Sequence, residues 1–154
     1  MEETTVASQE REWEQQQLKD IEDAFNALRT LQKVFLSTST NSKSDLSKAA
    51  GRRCILGVSG LKYHEYRKFF EVTPTGVEIV QPYDTFNTYI LAPVDSVLRV
   101  LRGTLEGDTE AFAAEWARGK ARLSGERRLH DGYVFSAVFK SLALLIKRYR
   151  EVKI

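Results

Sequence analysis

Asp84-Thr85-Phe86-Asn87-Thr88-Tyr89-Ile90, followed by Val94-Asp95-Ser96-Val97-Leu98-Arg99-Val100-Leu101-Arg102-Gly103, is the stretch that decides the fold. Its first half is dense in β-branched and aromatic residues and predicts a strand over 85–91. After Pro93 the spacing changes. Val94, Val97, Leu98 and Leu101 recur on one helical face, and Gly103 is placed to end that helix. Asp108 or Thr109 can cap a second, short helix carrying Ala111, Phe112, Ala114 and Trp116, which stops near Gly119. Lys120-Ala121-Arg122-Leu123-Ser124 then alternates polar and apolar residues, as a strand does, and Gly125 ends it.

Upstream, the runs at 54–56, 69–72 and 77–80 read as strands. Turn residues separate them: Gly57 and Gly60, Thr73-Pro74-Thr75-Gly76, then Gln81-Pro82-Tyr83-Asp84. Together with 85–91 they predict four antiparallel strands joined largely by hairpins. Before them, Ile21, Ala24, Phe25, Leu28 and Leu31 share a face of a helix expected over 12–36. Residues 37–48 hold seven hydroxyl side chains in twelve positions and read as a linker or long loop. The last helix is expected over 131–150 and is apolar on nearly every side, with Ser136, Lys140 and Lys147 on one narrow polar face. The chain divides into a helix and Ser/Thr-rich loop over 1–51 and a sheet with C-terminal helices over 52–154. Its 154 residues suit one domain over 1–154.

A hydrophobic fraction of 42% excludes global disorder. The longest unbroken apolar run, 142–146, is far short of the ~20 residues of a membrane-spanning helix. The start Met1-Glu2-Glu3 has no signal pattern, so a soluble, cytoplasmic protein is expected. The net charge of +2 is unevenly spread: −4 over 1–36, −1 over 37–117 and +7 over 118–154. That basic end could meet nucleic acid, an anionic membrane or an acidic partner, or be a solvated face.

The residues offer no catalytic constellation. Val58-Ser59-Gly60 lacks the second glycine spacing of a nucleophile elbow, and Cys54 sits in an apolar run as a small hydrophobe would. His64 and Glu65 are adjacent, and on a strand would point apart; Asp131 after His130 reads as a helix cap. One cysteine and two histidines argue against a metal centre, and no glycine-rich phosphate loop is present. No cofactor is expected. Lys62–Phe70 mixes bases with aromatics, but alternation sends Phe70 and Val72 to the core, so nucleic-acid binding is a distant reading.

The stretch from Asp84 to Gly125 resembles the sterol-carrier-protein type two family. The strand, the apolar helix closing on Gly103, and Thr109-Glu110-Ala111-Phe112 leading into Gly119-Lys120-Ala121-Arg122-Leu123-Ser124-Gly125 carry it, the last resembling the family's Gly-Lys-x-x-x-x-Gly strand. The resemblance implies an α+β fold, a five-stranded, mostly antiparallel sheet covered by helices. It also implies an apolar tunnel that binds lipids without chemistry. Phe86, Ile90, Leu98, Leu101, Phe112 and Leu123 are then core or tunnel residues. Trp116 shares the face of Phe112, and Phe135, Phe139 and Leu142 on the apolar last helix join them as ligand-binding candidates. A lipid or other apolar small molecule is the expected partner. The second reading is a structural or interaction module of this fold, homodimeric or bound to another protein, whose tunnel is filled by rings such as Tyr133, Phe135 and Phe139.

Overall fold

The structure, a computed structural model, describes residues 2–35, 50–74 and 76–153; the expected loop over 37–48 and the side chain of His130 lie outside the described residues. Helix α1 spans Glu2–Phe35, ten residues longer at its start than expected. Glu, Gln and Arg hold this extension, with no Gly or Pro to stop it. The strands are β1 Arg53–Ser59, β2 Arg67–Thr73, β3 Gly76–Ile79, β4 Thr88–Pro93 and β5 Arg122–Ser124. Helices α2 Val94–Leu105 and α3 Ala111–Ala117 lie between β4 and β5, and α4 Arg128–Lys153 ends the chain.

The five strands form one mixed sheet in the order β3-β2-β1-β4-β5. Three of its pairings are antiparallel, but β1 and β4 run parallel, with Ile55 beside Tyr89 and Gly57 beside Leu91. This corrects the expectation of four antiparallel strands. The hairpin at Pro74 forms, pairing Thr73 with Gly76. After β3, however, residues 80–87 cross to the far side of β1, and β4 enters in the direction of β1. Tyr83 fixes this crossing: its ring meets Phe69 edge-on at 5.1 Å and its hydroxyl donates to the carbonyls of Phe70 (2.8 Å) and Cys54 (2.9 Å).

Two glycines differ from their expected roles. Gly57 lies inside β1, where the Tyr89 side chain passes over it so closely that a Cβ would fall 2.3 Å from the phenol oxygen. Gly103 lies inside α2, whose backbone continues to Leu105; its missing side chain lets Ala111 of α3 approach, since a Cβ there would sit 2.7 Å from that of Ala111.

The helices contact one another and cover one face of the sheet. Ile21, Ala24, Phe25 and Leu28 of α1, Val97, Leu98 and Leu101 of α2, and Val134, Phe135, Val138 and Leu142 of α4 close over Cys54, Val58, Phe70, Val72 and Ala92. Burial pushes the Cys54 thiol up to about 12, so it is an inert core residue. Polar clamps fix the helices at the edges. Glu14, buried on α1, accepts the backbone N–H groups of Lys62 (2.7 Å) and Tyr63 (3.0 Å) and contacts His64 Nδ1 (3.0 Å). His64 is thus in a loop rather than on a strand, and its carboxylate comes from α1. Tyr66 and Lys68 both donate to Glu22, so these two members of the 62–70 run serve to dock α1. On the edge strand β3, the Gln32 amide exchanges two hydrogen bonds with the Val77 backbone.

Candidate functional site

Between β1, β4 and the helices α2, α3 and α4 lies a cavity of about 70 Å³ with a wholly apolar accessible wall. Strand alternation turns Cys54, Leu56, Ile90 and Ala92 toward it. Helix α2 contributes Val97 and Leu101, α3 contributes Phe112 and Trp116, and α4 contributes Phe135 and Phe139. The aromatic rings interlock. Phe112 stacks on Phe139 with centroids 5.4 Å apart, Phe112 and Trp116 lie 5.9 Å apart, and Phe135 meets Phe70 edge-on at 5.8 Å.

Six of the ten ligand-binding candidates therefore come together here: Ile90, Leu101, Phe112, Trp116, Phe135 and Phe139. The other four do not line it. Leu98 is buried toward a wider groove between α1, α2 and α3 that also carries charged side chains such as Asp95 and Arg102. Leu142 is buried one turn beyond Phe139, beside Leu28 and Val138. Leu123 pairs with Ile90 across the β4–β5 ladder. Phe86 is exposed and packs on Tyr89, away from the cavity wall. Tyr133, one of the rings expected to fill a tunnel, points outward.

The sequence reading missed two polar groups of this region. Glu115 is buried at the cavity wall, and the hydrogen bond from Arg99 holds its carboxyl below the usual carboxylate range; burial opposes this, while Ser96 and the charge of Arg118 assist. Arg99 Nε also donates to Glu115, and Arg118 Nη1 lies 3.1 Å away. The signal was present: Glu115 stands four residues after Ala111, on the stripe that packs against α2. The second group is Asp131, a buried anion rather than a cap. It accepts Arg52 Nη2 at 2.7 Å, Arg52 Nε, and the hydroxyl of the fully buried Thr88. This joins the start of α4 to β1 and β4 at the end of the sheet nearest β5.

Among the described residues, no group of three or more His, Cys, Asp or Glu side chains could hold a metal ion, and no helix is long and apolar enough to cross a membrane. Glu115 and Asp131 are each paired with arginine, and the accessible wall of the cavity carries no polar atom to act on a ligand.

Phe112 and Trp116 have a second exposure. They also line an outer groove of about 300 Å³ between α3 and α4, with Ala113, Ala117, Leu129, Gly132, Tyr133 and Ser136. The two rings are thus the partition between this groove and the cavity.

The architecture is that of sterol-carrier-protein type two domains. The chain is similar to a solved UbiJ-SCP2 ubiquinone synthesis protein, with a TM-score of 0.51 and 15% identity over 80% of this chain and 94% of that one. Sterol carrier protein 2 from Yarrowia lipolytica in its apo form superposes with a TM-score of 0.47 and 10% identity, over 77% of this chain and 90% of that one. No family model and no curated protein matches the chain. The likeness to the UbiJ-SCP2 structure shows the fold.

Proposed function

We propose that this protein binds or carries a lipid or other apolar molecule between its sheet and helices, without chemistry, as a soluble cytoplasmic protein. The observation that carries this reading is the apolar cavity whose wall, Phe112 and Trp116, is also the wall of an outer groove. Ligand cavities measure ~300–1,000 Å³. At about 70 Å³ this one holds a ligand only when the rings of Phe112, Trp116 and Phe139 turn aside. A slender, flexible chain such as a fatty acyl group suits that motion better than a rigid sterol. Ile90, Leu101 and Phe135 then form the fixed wall, and the three turning rings the adjustable one.

The test is a titration of Trp116 emission in a Trp13→Phe variant. Trp13 is exposed on α1, away from the cavity, and removing it leaves Trp116 as the single indole. Palmitate should shift the emission saturably and with little dependence on salt, because apolar burial is not screened as surface charge pairs are. Mass spectrometry of an organic extract of the purified protein identifies any resident ligand. A flat titration with fatty acids, acyl-CoA and sterols would return the protein to the filled-core interaction module.

A further inference from the structure

Exposed apolar side chains are ordinary when scattered. On α4 they are aligned. Leu129 is 69% exposed, Tyr133 63% and Leu144 36%. At ~100° per residue these three fall within about 60° of one another on the outward side of the helix. Lys140 and Lys147 fall on the same stripe, and both are exposed. Arg127 precedes the stripe and Arg148 adjoins it; the side chains of these arginines and of the two lysines make no ion pair or hydrogen bond among the described residues. The acids from 119 to 154 are Glu126, Asp131 and Glu151; Asp131 is buried against Arg52, and Glu151 falls at the far end of the stripe, in the last turn of α4, leaving the cations in excess. The stripe is therefore both apolar and basic, and at its Leu129–Tyr133 end it forms one bank of the groove that Phe112 and Trp116 separate from the cavity.

We propose that the outward face of α4, with the α3–α4 groove, docks on the surface of an anionic lipid bilayer, and that the groove is the port through which an acyl chain reaches the cavity. The chemistry selects this occupant. Leu129 and Tyr133 supply the apolar depth and interfacial aromatic ring of a helix lying in the headgroup plane. Lys140, Lys147, Arg127 and Arg148 supply the charge that anionic headgroups attract. A polyanion without an apolar phase, such as RNA, would leave Leu129 and Leu144 against water and find one aromatic ring on the helix stripe, Tyr133, where stacking along a strand needs several. The port rests on the ligand reading above; the docking stands on the α4 face itself.

Sedimentation with vesicles of phosphatidylcholine alone or mixed with phosphatidylglycerol tests it. The protein should bind the mixed vesicles and be released by salt. Each cation near such a surface is worth roughly a fivefold change in binding, so Lys140→Glu with Lys147→Glu should weaken it by more than tenfold. Leu129→Ser with Tyr133→Ser should weaken it at low salt as well. These positions are exposed, and unchanged circular dichroism and thermal unfolding confirm that the variants fold. Palmitate binding by the Lys140→Glu, Lys147→Glu variant, read at Trp116, should be unaltered. No binding to anionic vesicles, or binding indifferent to both variants, overturns the proposal. So does a dimer by light scattering that Leu129→Ser with Tyr133→Ser dissociates while vesicles are ignored, which would give the stripe to a second copy. Vesicle binding with a flat palmitate titration sinks the ligand reading and the port, and leaves the docking surface standing.

Discussion

Phe112 of α3 and Phe139 of α4 stack with ring centroids 5.4 Å apart and planes inclined by 17°; both rings line the cavity, and Phe112 also faces the outer groove. Removing one ring tests both its packing and its role as a gate. A fully buried Phe→Ala change costs ~3–5 kcal/mol. Phe139 is half-buried, so Phe139→Ala should cost about 2–3 kcal/mol in denaturant unfolding, less than that full-core figure. Because the ring no longer has to move, palmitate should bind the variant more tightly and recover part of the lost stability by linkage. A loss of stability that palmitate does not recover would show a filled core.

The Arg52–Asp131–Thr88 cluster should be the most sensitive polar site in the protein. Breaking a buried ion pair by removing one partner costs ~3–5 kcal/mol, because the other charge stays buried and unpaired. Asp131→Asn leaves Arg52, whose side chain is 17% exposed, without its anion. The expected loss is about 3 kcal/mol. Thr88→Val removes one hydroxyl donor, keeps the ion pair, and should cost about 1 kcal/mol. Equal losses in the two variants would show that the ion pair is not what holds α4 to the sheet.

Acid should unfold the protein through three carboxylates. The bond from Arg99 leads in lowering Glu115; burial alone would raise Glu14 and Glu22, but the hydrogen bonds from Lys62, His64 and Tyr63 to the first, and from Lys68 and Tyr66 to the second, outweigh it. Each binds its proton more weakly folded than unfolded. Their contribution is therefore complete above the ordinary carboxylate value of 4.5 and is lost as pH falls through the lower folded values. Unfolding midpoints should be flat at neutral pH and drop below about pH 4.5. The gap between Glu115→Gln and the parent should be widest at neutral pH and narrow in acid. A gap that stays constant to pH 3 would assign the effect to packing.

Much of this architecture is legible in the sequence where the signal is local. The 3.6-residue spacing of Val94, Val97, Leu98 and Leu101 gives α2, Thr73-Pro74-Thr75-Gly76 gives the β2–β3 hairpin, and Phe112 with Trp116 four residues later gives two rings on one side of α3. The parallel pairing of β1 with β4 is not local. It depends on residues 80–87 crossing the sheet, and the bonds of the Tyr83 hydroxyl to Cys54 and Phe70 that fix the crossing join positions 29 and 13 residues apart. Gly57 and Gly103 read as breakers because sequence shows that a side chain is missing, and not which neighbour uses the space. Asp131 reads as a helix cap and Glu115 gives no signal of its own, because their arginines, Arg52 and Arg99, lie 79 and 16 residues away. The size of the cavity is the hardest to read: it depends on the rotamers of Phe112, Trp116 and Phe139 together.

Gly125 offers a sharp test of how β5 joins the sheet. It sits at the end of β5 with φ +123°, a conformation L side chains rarely adopt, and a Cβ there would lie 2.2 Å from the carbonyl oxygen of Asn87. That oxygen is backbone, and it cannot swing away as a side chain could. Asn87 is itself held: its N–H donates to the Arg53 carbonyl and its side-chain oxygen accepts from the Arg53 N–H, each at 2.8 Å. Relief must therefore come from β5, whose ladder to β4 is three residues long. Gly125→Ala should cost about 2–3 kcal/mol through backbone strain and a loosened β4–β5 pairing. Because Leu123 pairs with Ile90 of the cavity wall, hydrogen exchange should rise at Leu123 and Ile90 while α1 and the β2–β3 hairpin stay protected. Gly119→Ala is the control: it also has positive φ, at +71°, but nothing lies within 4 Å of its Cβ position. It should cost about 1 kcal/mol and leave the exchange at Ile90 unchanged. Equal losses at the two glycines would mean that backbone conformation alone, and not the contact with Asn87, sets the requirement at Gly125.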